Sequence, residues 1–162
     1  MKNLKSLFLL TMTILFVGTM SVRAEGNEPK SVAVPTVEKG EVVVLNQAGF
    51  ISKVCDYKKN KTNWVYVGTK PCIIDFYADW CGPCRQMAPI MKELAKQYAG
   101  RVVFYKMNVD NEKEIASLFG IQSIPTFLFV PMKSKPQIAQ GAIPKEELVK
   151  AIDSFLLGKA SK

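Results

Sequence analysis

Apolar and polar positions along this chain fall into two alternating kinds of segment. "EVVVL" (41–45), "CIIDFYA" (72–78), "RVVFYKMNVD" (101–110), "TFLFV" (126–130) and "QIAQGA" (137–142) read as strands. "CIIDFYA" is nearly continuous in apolar residues, as expected of a strand covered on both faces. Between them lie helical patterns. "NQAGFISKVCDY" repeats Phe50, Val54 and Tyr57 behind an Asn46 N-cap, and "APIMKELAKQYAG" repeats Ile90, Leu94 and Tyr98 up to a stop at Gly100. "NEKEIASLFG" ends at Gly120, and "PKEELVKAIDSFLLG" runs from a first-turn Pro144 to a C′ Gly158. The order β-α-β-α-β-α-β-β-α predicts an α/β fold. Its central sheet should be mixed, with parallel pairs from the βαβ units, an antiparallel hairpin late in the chain, and helices on both faces.

The ends read differently. "MKNLK", the apolar "LFLLTMTILFV" and the small residues of "VRA" have the layout of a secretory signal cut after Ala24, so we expect residues 1–24 to be an export signal and the location to be periplasmic. An uncleaved, membrane-tethering segment is the alternative. Residues 25–40, rich in Pro and Gly without a period, read as a linker; the domain spans 41–158 and a short tail 159–162. Removing 1–24 takes away Lys2, Lys5 and Arg23 but no acid, so the formal charge of +8 drops by three. The remaining basic run, "YKKNKTNW", reads as a solvated loop rather than a nucleic-acid surface, because no phosphate loop or nucleic-acid motif accompanies it.

Chemistry concentrates in "DWCGPC" (79–84). Zinc would need four ligands, and a chain with no histidine and only Cys55 and Cys72 besides this pair offers poor spacing for a metal. A purely structural disulfide across three residues closes too small a loop to constrain the unfolded chain much. A pair between a buried strand and a helix, however, sits at a helix N-terminus, where unpaired N–H groups and the macrodipole favour thiolate. Cys81, first in the turn, is expected to be the exposed nucleophile and Cys84 the buried resolving thiol.

"IIDFYADWCGPCRQMAPIMKELA" resembles the active-site strand and helix of thioredoxins, "GIQSIPTFLFV" their cis-proline segment, and "GAIPKEEL" the glycine turn before their last helix. The resemblance runs from about Val42 to Leu157 and implies the thioredoxin fold. It implies a thiol–disulfide oxidoreductase acting through Cys81 and Cys84 with no organic cofactor. It also implies that Asp75 exchanges a proton with Cys84, that Lys106 tunes Asp75, and that Ile124–Pro125 is cis. Gly82 and Pro83 would tune the redox poise, and Trp80, Gly82, Pro83, Ile124 and Gly141 would form an apolar patch for substrate. The implied partners are disulfide-containing proteins and, for a reductant kept reduced after export, a membrane electron donor; the chain is expected to be monomeric. A thiol oxidant and a non-catalytic binding module are the rival readings. Three features depart from the family pattern: Tyr77 replaces a common Trp, the segment 57–71 is longer than usual, and Cys55 and Cys72 are extra. The two extra cysteines are expected to be buried and inert, with a second disulfide as the alternative.

Overall fold

In the computed structural model, residues 39–159 are described; the expected signal, most of the linker and the last three residues lie outside them. Five strands form one sheet in the order β1-β3-β2-β4-β5: β1 Val42–Val44, β2 Cys72–Tyr77, β3 Val103–Asn108, β4 Thr126–Val130 and β5 Gln137–Gln140. β1, β3 and β2 run parallel, while β4 is antiparallel to β2 and β5 to β4. The helices are α1 Gln47–Lys53, α2 Gly82–Gln97, α3 Lys113–Leu118 and α4 Lys145–Ala151. The element order and the mixed sheet are those expected from the pattern.

Alternation along the strands sorts the core into two layers. Cys72, Ile74 and Phe76 of β2 pack with Phe50 of α1 and Ile115 of α3 on one face. Ile73 packs with Met87, Met91 and Leu94 of α2 and with Leu148 of α4 on the other. A strand buried on both sides must be apolar on both sides, which is why "CIIDFYA" shows no polar alternation. Its one acid therefore stands out.

Local details correct the pattern in places. Asn46 does cap α1, accepting from the Gly49 N–H at 2.8 Å. That helix stops at Lys53, however, so Tyr57 lies beyond it; its ring meets Phe50 edge-on, and its hydroxyl donates to Glu114 at 2.7 Å. α2 starts at Gly82, earlier than its amphipathic stretch, and continues through Pro89. The proline forgoes one backbone bond to the Arg85 carbonyl, a tolerable loss because both residues lie on the exposed side of the helix. Pro144 is the N-cap of α4 rather than part of its first turn. The same helix widens into a π turn over Ile152–Leu156, closed by Leu157 N–H to Ile152 O at 2.9 Å.

Candidate active site

The parallel strands end together. Tyr77 of β2 is level with Asn108 of β3, and Phe76 pairs with Thr126 at the start of β4. The chain leaves β2 through Ala78, Asp79 and Trp80 and enters α2 at Cys81, which is its N-cap. Cys81 and Cys84 are joined as a disulfide. The Cys84 backbone N–H donates to Cys81 Sγ at 3.1 Å, so one of the free donors of the helix start points at the sulfur that would carry charge when reduced. Pro83 suits this first turn, since it lacks an N–H that the turn could not satisfy. Cys81 is not exposed: it is 3% accessible and Cys84 4%. In the oxidised pair the two sulfurs cover each other, so the expected contrast between an exposed and a buried thiol is absent.

Around the pair pack Ala78, Tyr77, Val109 and Ile124. The Ile124–Pro125 bond is cis, and the Pro125 carbonyl accepts from Gly141 N–H at 2.8 Å. Gly141 makes that contact at φ +88°, a conformation costly for any residue with a Cβ. Trp80 is 69% exposed, anchored by its indole N–H to Asp110 at 2.9 Å. The loop beneath it is tied by Asn108 Nδ2 to Asp79 at 3.2 Å and by Arg85 to the Asp79 carbonyl at 3.1 Å.

Beside these residues lies an open cleft of about 300 Å3 lined by Trp80, Val109, Ile121, Gln122, Ser123 and Ile124. It joins two of the five residues expected in the substrate patch; Gly82, Pro83 and Gly141 do not line it. Sequence reasoning missed Val109 and Ile121–Ser123. The segment "GIQS" directly before the cis-proline was the available signal, because a chain leading into that bend must run past the cysteines.

Asp75 lies on β2 between Ile73, which meets Met87 of α2, and Tyr77, which meets the cysteines, and it shares their face. It is 5% accessible and its Oδ1 has no hydrogen-bond partner. Burial pushes the carboxyl up to about 7, opposed by the charge of Lys106 directly across on β3. The Lys106 ammonium lies 5.2 Å from the centre of the Tyr77 ring, a cation–π contact that keeps it on this side of the sheet. Tyr77, the departure from the family's Trp, thus carries the lysine that opposes Asp75. Cys55 and Cys72 are free and buried in the opposite layer. Among the described residues no three His, Cys, Asp or Glu side chains come together as a metal site.

With this geometry in view, the likenesses to known proteins agree. The thioredoxin family model matches residues 42–154. A thioredoxin of Borreliella burgdorferi is 42% identical over 113 residues, covering 70% of this chain and 96% of that protein. An M-type chloroplastic thioredoxin of Pisum sativum is 41% identical over 100 residues, 60% of this chain and 58% of that protein, so the chain spans little more than half of that longer relative. Among solved structures, a mutant thioredoxin from Halobacterium salinarum superposes with a TM-score of 0.58 at 24% identity, over 74% of this chain and 94% of that one, a likeness of fold alone. The chain belongs to the thioredoxin family. It is a thioredoxin-like thiol–disulfide oxidoreductase of the kind that works through a redox-active cysteine pair on disulfide-containing proteins, without a cofactor.

Proposed function

We propose that this chain is an exported reductant or isomerase of protein disulfides, with Cys81 as nucleophile, Cys84 as resolving thiol and Asp75 as the proton acceptor. The observation that carries the reading is the capped cysteine pair. A sulfur at the N-cap of α2, faced by the Cys84 N–H, is stabilised as thiolate once reduced.

Reduction takes two exchanges. The Cys81 thiolate attacks one sulfur of a substrate disulfide; that bond breaks, and the departing substrate sulfur takes up a proton. Asp75, as carboxylate, accepts the Cys84 proton, and the Cys84 sulfur attacks Cys81. The mixed disulfide breaks, the second substrate sulfur leaves as thiolate, and Cys81–Cys84 is left oxidised with two electrons delivered. A carboxyl held near 7 supports this role, because at neutral pH it exists in both forms. Trp80 and the cleft beside Ile124 offer an apolar seat for the substrate strand.

The apolar leader supports export to the periplasm, and there a reductant needs a supply of electrons. A membrane protein that passes reducing equivalents outward fills that place, with the chain acting as a monomer. The Gly82–Pro83 pair, with no histidine to stabilise a thiolate further, favours reduction over oxidation. Insulin reduction with a small-thiol donor tests the activity: Cys81→Ser abolishes it and Cys84→Ser accumulates a mixed disulfide. Full cellular function in the doubly substituted chain would instead establish a binding module.

A further inference from the structure

The segment 57–71, to which the redox chemistry gives no role, crosses the α1–α3 face of the sheet and ends at the pole opposite the cysteines. Cys72 is level with Val103 and Val130, so the starts of β2 and β3 and the end of β4 share this pole. There the segment meets the β4–β5 connection across a cleft of about 480 Å3, walled by Trp64, Tyr66 and Met132 and carrying Lys133 and Lys135. Lys70 and Arg101 stand just before β2 and β3, and Lys39 before β1, against Glu41 at these strand ends and Asp153, which pairs with Lys159 beside Tyr98. The cysteine pole has the reverse balance. Asp79, Asp110, Glu112, Glu146 and Glu147 follow the other strand ends or open the helices there, against Arg85, Lys113 and Lys145. Charge is therefore segregated along the sheet axis.

The basic pole is also apolar. Val65 is 43% exposed, Val67 45% and Met132 43%, three large apolar side chains held in water. Trp64 lines the cleft with its ring edge-on to Phe119 and its indole N–H buried without a hydrogen-bond partner. Lysines interleaved with an aromatic ring and exposed aliphatic side chains are the composition that settles into a lipid headgroup layer.

We propose that this pole is a docking surface for an anionic lipid membrane, holding the domain with Cys81–Cys84 facing away from the bilayer. Lipid phosphates pair with Lys70, Lys133 and Lys135, while Val65, Val67 and Met132 enter the boundary of the acyl region and Trp64 lies just beneath them. An acidic peptide seated in the cleft would leave Val65 and Val67 uncovered, because neither lines it. Orientation is the consequence: substrates, and an aqueous domain of the membrane electron donor, reach the cysteines from the side away from the bilayer.

The chain has two tryptophans, one at each pole, which makes the orientation measurable. Mature chains starting after Ala24 and carrying Trp80→Phe or Trp64→Phe are mixed with vesicles of phosphatidylcholine, alone or with phosphatidylglycerol, whose acyl chains carry bromine as a quencher. Trp64 is expected to be quenched with the anionic vesicles only, and Trp80 with neither. Each lysine near an anionic surface strengthens binding about fivefold, so Lys133→Glu with Lys135→Glu should weaken it by at least about 25-fold. Molar salt, which shrinks the screening length to about 3 Å, should release the parent chain and needs no variant to fold. Equal quenching of Trp64 by neutral vesicles, equal quenching of Trp80, or indifference to both salt and charge reversal overturns the proposal. A shift of Trp64 emission with polyglutamate but not with anionic vesicles also overturns it, in favour of an acidic protein partner.

Discussion

Cys72 and Asp75 are three residues apart on β2, both nearly inaccessible, and they face opposite layers. Burial raises both. It pushes the Cys72 thiol up to about 12, with a weaker downward pull from a Tyr66 hydrogen bond, and the Asp75 carboxyl up to about 7. The same physical cause has opposite chemical results. A thiol driven away from neutrality is never a thiolate and stays inert, whereas a carboxyl driven toward neutrality becomes able to take and return a proton. Cys81 and Cys84 differ from Cys72 in a second way. They sit where a helix begins, and a backbone donor is aimed at Cys81 Sγ. Burial alone thus silences a cysteine, and burial beside a helix start makes a redox pair.

The largest expected effect separates the two kinds of cysteine. Cys81→Ser should abolish insulin reduction, while Cys55→Ala with Cys72→Ala should keep the parent's rate. Mass spectrometry after alkylating the reduced native protein should find Cys55 and Cys72 unmodified until denaturant is added; rapid labelling of Cys72 would break the comparison.

Asp75→Asn should slow the second exchange step by about 100-fold at neutral pH, the lower end of what a positioned base contributes, read by stopped-flow release of substrate thiol. The same substitution should stabilise the fold. The folded carboxyl keeps its proton up to about 7 while the unfolded one loses it near 3.8, so the parent's stability falls as pH rises through that window and is flat above it. The full difference is roughly 4 kcal/mol as an upper bound. Urea unfolding at pH 4 and pH 8 should show the Asn variant gaining on its parent by up to that amount; a constant difference at both pH values would contradict a buried, protonated Asp75.

Smaller effects sharpen the picture. Because Lys106 opposes the rise at Asp75, Lys106→Met should move the midpoint of the pH–rate profile upward, and Tyr77→Leu, which frees the ammonium from its ring, should move it the same way by less. An unchanged midpoint in both would detach the lysine from the mechanism. Cys72→Ala should cost about 1 kcal/mol for the small cavity it leaves, with no change in rate.

Much of this was legible in the residue pattern, for physical reasons. Strands buried on both faces must be apolar throughout, so β2, β3 and β4 announced themselves, and an acid inside such a strand stood out as Asp75. Asn46 and Gly100 work through local backbone chemistry that sequence carries directly: a side-chain cap, and a turn at φ +72°. What the pattern could not carry is non-local. Residues 57–71 have no period because they form no regular element; their order comes from Trp64 and Tyr66 packing against the α1–α3 layer. The apolar period of α2 began only after the cysteines, because Gly82 and Pro83 are poor helix formers taken alone; the pair was nonetheless read at a helix N-terminus, and Cys81 is the N-cap. The cation–π contact of Lys106 required knowing that β3 lies beside β2.

In the function proposed above, one cysteine pair of this chain, and only that pair, cycles, and it does so as a reductant. Equilibrating the protein across glutathione redox buffers and mapping each cysteine by alkylation and mass spectrometry tests this most directly. The expected result is a single two-electron transition at Cys81–Cys84, near the roughly −270 mV typical of thioredoxins, with Cys55 and Cys72 remaining thiols throughout. A midpoint near the roughly −120 mV of strong disulfide donors, or a Cys55–Cys72 bond forming within the range, would contradict it.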